Sequence, residues 1–329
     1  MIILLNSILI SGKICNMGEK ERLSVASLFL IIPTIMLIFS YYSYPYPLER
    51  SFVSFLQIPM FLGLGLIFFG FLISFFSKEK LGNILKIIGW FVFAFFWSTQ
   101  PSTLYFSEGK DIFNAVVCVI GVYVLCYIAY HEWLSIKRNE NISCINWIAG
   151  ASALSGLIYF GIERTVLNTI LKNIVTQHSK DALNIIIGNA YVQVGTTNIF
   201  LDGEYAVTII FACTAIQAMV IFVGMIGALP KIDLKRRIIG LVVTLIPIYF
   251  LNLLRNAMVA FLLQRDITNF FWAHNVLSKA GSLITLIVLL MIVIKIIPEI
   301  LDEIFCLVDI HKRNGPLEKL AFKVLGRKK

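Results

Sequence analysis

Three reactive side chains stand out in an otherwise apolar sequence. Phe211-Ala-Cys-Thr-Ala-Ile-Gln217 places Cys213 near the start of the apolar run Ala206–Leu229. Asn252-Leu-Leu-Arg-Asn256 puts Arg255 inside a second apolar run, and Ala273-His-Asn275 puts His274 at the head of a third. A thiol attacks an acyl carbon as the thiolate, and a neighbouring cation or base makes that form available. A histidine can take the proton and later give it to a leaving amine. An arginine is no base at neutral pH, so its part is to stabilise a thiolate and an oxyanion. Together these are the parts of a thiol acyl-transfer site.

Each residue also has a plainer reading. A cysteine in a membrane helix is commonly a small packing residue, and a histidine at a membrane boundary an interfacial one. Arg255 is harder to dismiss. A charge inside the bilayer costs about 2.5–3.5 kcal/mol on the most lenient scale, and its own run contains no Asp or Glu. Asn252 and Asn256 flank it at helical spacing, and Glu204 is a possible ion-pair partner. Thr214 offers a further hydroxyl, although helix threonines mostly bond their own backbone. The ligands are too few for a zinc site, and no carboxylate is placed to orient His274. Neither a metal nor a cofactor is expected.

These residues need a scaffold, and composition defines it. The chain has 329 residues, 58% hydrophobic and 14% charged, with a mean hydropathy of +0.85. Soluble domains carry roughly a quarter charged residues. Apolar runs long enough to cross a bilayer recur along nearly the whole length. The fold class expected is an all-α polytopic membrane protein with about eight transmembrane helices and a small extracytoplasmic hairpin insertion. The spans expected are Ser24–Tyr44, Phe52–Phe76, Ile84–Thr103, Ile112–Ile136, Ile145–Ile162, Ala206–Leu229, Ile238–Leu263 and Asn275–Ile297. Pro33, Pro59 and Pro247 fall inside spans and can kink them.

Lys13, Lys20, Arg22, Lys78, Lys80, Lys86, Lys137, Arg138, Lys231 and Lys235 to Arg237 fall in one set of loops, and the tail is basic as well. The alternate loops are poorer in basic residues. The positive-inside rule then puts both termini in the cytoplasm. On that topology Cys213 lies about 10 Å below the outer end of its span and Arg255 about 12 Å. His274 sits at the outer mouth of the last span. The site residues therefore share the outer half of the membrane. The net charge of +9 serves topology and does not point to nucleic acid.

The chain divides accordingly. Residues 1–23 form a cytoplasmic start, in which Met1 or Met17 is the initiator and no cleavable signal peptide is expected. Residues 24–162 form a five-helix membrane part, and 163–205 an extracytoplasmic segment. Residues 206–297 form a catalytic three-helix part, and 298–329 a basic cytoplasmic tail expected to lie on anionic lipid. Within the extracytoplasmic segment, Val166–Val175 reads as an interfacial helix. Tyr191–Tyr205, punctuated by Gly195-Thr-Thr-Asn198 and Asp202-Gly203, reads as a β-hairpin or as an irregular loop. The six cysteines show no CxxC spacing and lie mostly in or beside apolar runs, so no disulfide framework is expected.

Ala212-Cys-Thr-Ala-Ile216, Asn252-Leu-Leu-Arg255 and His274-Asn275 with Ala280-Gly-Ser282 resemble, in this order, the motifs of the exosortase/archaeosortase family. The hairpin Gly195…Asn198-Ile-Phe-Leu201 adds to the likeness, which covers about Tyr191 to Leu286. The resemblance implies a membrane cysteine transpeptidase with Cys213 as nucleophile, Arg255 as transition-state stabiliser and His274 as the third member. It implies partners as well: surface proteins with a C-terminal signature, a membrane helix and a basic cluster, and a lipid or other amine acceptor. Thr214-Ala215 stands where bacterial members more often show Ser-Gly, which favours the archaeal branch. Two other classes stay open on the residues alone. A transporter or channel would use Arg255 to bind an anion, although no inverted repeat is visible. A plain membrane scaffold leaves Arg255 unexplained. A protease differs from a transpeptidase only in whether water or an amine resolves the thioester.

Overall fold

A computed structural model of the chain describes residues 19–75, 79–107 and 111–324. The segment 1–18, Lys78, Lys110 and the end of the tail, 325–329, lie outside the described residues. The chain forms two compact units, 1–153 together with 303–329, and 154–302. Among the described residues, seven helices are long and apolar enough to cross a membrane.

The first unit contains α1 (Glu19–Ser43), α2 (Arg50–Phe75), α3 (Glu79–Ser98), the short α4 (Gln100–Phe106) and α5 (Ile112–Arg138), followed by the start of α6 (Ser143–Glu163). Helices α2 and α3 pack at backbone contact. A Cβ added at Gly89 would lie 2.8 Å from the Gly63 carbonyl oxygen, and one at Gly70 would lie 2.7 Å from that of Gly82. Lipid offers no hydrophobic drive between apolar helices, so small residues that admit close van der Waals packing hold them together. Lys86, counted above with the loop charges, is instead buried within α3. Its ammonium lies 2.9 Å from Glu132 of α5 and 3.0 Å from the Asn146 side-chain oxygen of α6.

The tail belongs to this unit too. α11 (Glu299–Val308), a 3-10 turn (Asp309–Arg313) and α12 (Pro316–Val324) follow one another. Tyr127 and Tyr130 of α5 donate to the Glu318 carboxylate at 2.8 and 3.0 Å, and His131 Nε2 lies 3.3 Å from it. Burial alone would push the Glu318 carboxyl upward, but hydrogen bonds from His131, its own backbone amide and Tyr127 outweigh it and hold it at about 2. Arg313 pairs with Glu140 at 2.8 Å. Protein contacts therefore also hold the tail that was expected to lie on anionic lipid. A second departure is a disulfide between Cys144 of α6 and Cys306 of α11. The two are 162 positions apart in sequence, so no local spacing motif announces them.

The second unit contains the rest of α6, then α7 (Val166–Ile186), β1 (Ala190–Val192), β2 (Asn198–Leu201), β3 (Glu204–Thr208), a 3-10 turn (Phe211–Thr214), α8 (Ile216–Gly227), α9 (Leu234–Gln264), a π-helical turn (Phe271–Ser278) and α10 (Lys279–Ile296). The expected interfacial helix is longer than its sequence signal and runs to Ile186. The hairpin reading holds, with one strand more. The sheet is antiparallel in the order β1-β2-β3, with Ala190 opposite Leu201 and Leu201 opposite Glu204. Asp202 and Gly203 take φ of 53° and 90°, both in the left-handed region that two-residue hairpin turns require.

The span expected over Ala206–Leu229 is corrected. Its first residues finish β3, the next form the 3-10 turn, and only the 12 residues of α8 are helical. Continuous apolarity does not separate a buried strand from a helix. Cys213 therefore sits in a turn between sheet and helix, not on a membrane helix.

Candidate active site

Cys213 is set by what surrounds its turn. Its side chain is only 8% exposed and packs in one core with Val175 and Leu183 of α7, Ile199 and Leu201 of β2, and Leu253 and Ala257 of α9. The Cys213 amide bonds the Ile210 carbonyl at 2.8 Å. The Cys213 carbonyl accepts two side-chain amides, from Asn252 at 2.8 Å and Asn256 at 3.1 Å. Both asparagines lie on α9, one turn apart, with Arg255 between them. The helix that carries the arginine thus also fixes the backbone of the cysteine. Thr214 takes the plainer of its two readings, since its hydroxyl bonds the Phe211 carbonyl at 2.7 Å.

Arg255 donates to the Asn256 side-chain oxygen at 3.0 Å. Of the two asparagines expected to hold the guanidinium, Asn256 does so and Asn252 serves Cys213 alone. Glu204 is exposed and pairs with no arginine among the described residues; Arg265 instead pairs with Asp202 at 3.1 Å. The buried Nε of Arg255 has no hydrogen-bond partner among the described residues. A half-buried, incompletely bonded cation tied through Asn256 to the backbone of a cysteine marks a site for developing negative charge.

A cavity of about 420 Å³ adjoins these residues. Ala212 and Ala215 flank the cysteine on its wall, Arg255 and Asn252 contribute from α9, and Ser278 and Ser282 contribute from the last helix. His274 lies in the π-helical turn before α10. Its side chain and that of Asn275 lie outside the described residues. Such turns are rare and gather at functional sites.

Two features escaped the sequence. Ser179 of α7 is fully buried and accepts the Asn256 amide at 3.2 Å, so it orients the residue that holds both Cys213 and Arg255. Val175, Ser179 and Leu183 recur at helical spacing and form a buried stripe, which is the signal a longer helix reading would have used. Ala215 adopts φ 65°. The chain must turn sharply from the cysteine into α8, and it does so with a residue that has a Cβ.

The fold and site define a multi-pass membrane protein with a buried thiol held beside an arginine-lined cavity. The chain belongs to the transmembrane exosortase family, whose model, described as transmembrane exosortase (Exosortase_EpsH), matches residues 77–294. It is 25% identical over 245 residues to archaeosortase A of Natronomonas pharaonis, spanning 65% of this chain and 75% of that protein. It is 21% identical over 263 residues to archaeosortase A of Haloferax volcanii, spanning 69% and 84%. No solved structure matches the chain.

Proposed function

We propose that this exosortase is a membrane cysteine transpeptidase that removes the C-terminal sorting tail of exported surface proteins. Cys213 attacks the scissile carbonyl and forms a thioester, expelling the tail. Arg255 stabilises the thiolate and the oxyanion of the tetrahedral intermediate. His274 takes the thiol proton and delivers it to the leaving amine. An amine on a lipid or other surface acceptor then attacks the thioester and frees Cys213. The observation that carries this reading is the shared support. Asn256 bonds the Cys213 carbonyl and the Arg255 guanidinium at once, which fixes nucleophile and cation relative to each other.

The substrate tail is an apolar helix with a basic end, and the chain sits in the same membrane with both termini in the cytoplasm and the site toward the outer face. The mostly apolar cavity next to Arg255 suits a substrate arriving from the lipid side. The test is co-expression with candidate tailed proteins, following substrate mass in wild type, Cys213→Ala, Arg255→Ala and His274→Ala. Tail loss with an added acceptor mass in wild type, absent in the variants, supports transpeptidation. Tail loss with only water added makes the protein a protease. Unchanged processing in Cys213→Ala refutes the thiol mechanism.

A further inference from the structure

The disulfide in the first unit has an unusual neighbour. Glu303 stands one turn before Cys306 on α11 and so shares its face. Glu303 as a whole residue is 8% exposed. One of its oxygens accepts the Ser143 hydroxyl; the other is buried and has no hydrogen-bond partner among the described residues. The sulfurs of Cys144 and Cys306 and a carboxylate oxygen of Glu303 all lie within 4.8 Å of one another. A buried carboxylate oxygen left unbonded is expensive and normally has a partner, whether a donor or a cation.

Compartment sharpens the point. Lys137 and Arg138 end α5 just before this site, and Lys312 and Arg313 follow Cys306. By the positive-inside rule these basic residues mark the cytoplasmic face, where cellular thiols keep cysteines reduced. Cys144 is fully buried, while Cys306 is half-buried. Reduction would leave two thiols and an unbonded carboxylate oxygen facing one another.

We propose that Cys144, Cys306 and Glu303 form a binding site for a thiophilic divalent cation, zinc foremost, in the reduced protein. Two thiolates and one carboxylate are a zinc donor set, and a water completes the tetrahedron. The Cα atoms of the cysteines are 5.9 Å apart. The sulfurs need to separate to about 3.8 Å to meet zinc at about 2.3 Å each, a movement that side-chain rotation supplies. Ser143 holds the carboxylate in place, as an outer hydrogen bond does for a metal ligand. The chemistry balances. A cellular dithiol transfers two electrons and two protons to the disulfide and leaves as its own disulfide. Zinc then displaces the two thiol protons to solvent. The metal would fasten the start of α6 to α11.

The test uses the full chain in detergent, reduced with a phosphine so that no added thiol competes for metal. Cobalt(II) is titrated, and absorption reports sulfur ligation. The expected result is one cobalt per chain with a thiolate charge-transfer band of two-sulfur intensity, bleached by zinc. Cys144→Ser and Cys306→Ser abolish that band. Glu303→Gln, which keeps both thiols, weakens cobalt affinity at least tenfold and keeps the question answerable if a cysteine variant misfolds. A missing band in the reduced wild type overturns the proposal, as does an unchanged affinity in Glu303→Gln. So does a quantitative Cys144–Cys306 disulfide in protein alkylated inside intact cells, which would make the pair a permanent covalent staple.

Discussion

Asn256 is the residue on which the site turns. It accepts from Arg255 and donates to both Ser179 and the Cys213 carbonyl. Asn256→Ala leaves Ser179 and Arg255 short of a partner in a buried place, which costs about 1–3 kcal/mol. Thermal denaturation in detergent should show that loss together with reduced substrate processing; full activity in this variant would contradict the role. Ala215 offers the opposite case. An L-residue in the left-handed region is strained by about 1–2 kcal/mol, and glycine relieves it while adding unfolded-state entropy. Ala215→Gly should therefore raise stability by roughly 0.5–1 kcal/mol and retain processing, and a lowered melting temperature would count against the strained turn. Cys213 and Arg255 were legible because their chemistry is out of place in apolar sequence. Ser179 was not, because a serine on a moderately polar helix carries no such contrast until its partner is known.

At the scale of elements, buried charge in the first unit replaces what lipid cannot supply. Lys86 and Glu132 are 2% and 1% exposed and lie 2.9 Å apart. Lys86→Met strands Glu132 without its cation and should destabilise by about 3–5 kcal/mol, whereas replacing both with methionine should recover most of that loss. Equal damage from the single and double variants would show that the pair is not the source. The tail gives a pH dependence. The Glu318 carboxyl falls from 4.5 to about 2 on folding, so the unfolded chain takes up the proton first as acid is added. The stability of the α12 docking is fully present above about pH 4.5 and is lost as pH falls toward 2. Limited proteolysis of the tail should rise over that window in wild type, with the rise absent in Glu318→Gln. Sequence assigned most helices here because long apolar runs have few alternatives in a membrane. It misjudged Lys86, since a lysine near a span end reads as a loop charge until Glu132 and Asn146 are brought beside it. The span over Ala206–Leu229 failed for a related reason: its apolar residues form the end of a strand, a turn and a helix in succession, and hydropathy is blind to that division.

For the whole molecule, sequence reached the family and the class of fold, because three motifs kept in order along an apolar chain form a specific pattern. The Cys144–Cys306 pairing was beyond it, since proximity across 162 positions is created only by tertiary packing. In the proposed reaction Cys213 carries the substrate as a thioester. The direct measurement is mass spectrometry of the reconstituted protein, quenched in acid during turnover of a tailed substrate. The peptide containing Cys213 should carry the mass of the truncated substrate, and hydroxylamine should release it. An adduct on another residue, or tail cleavage with Cys213 unmodified at every time point, would contradict it.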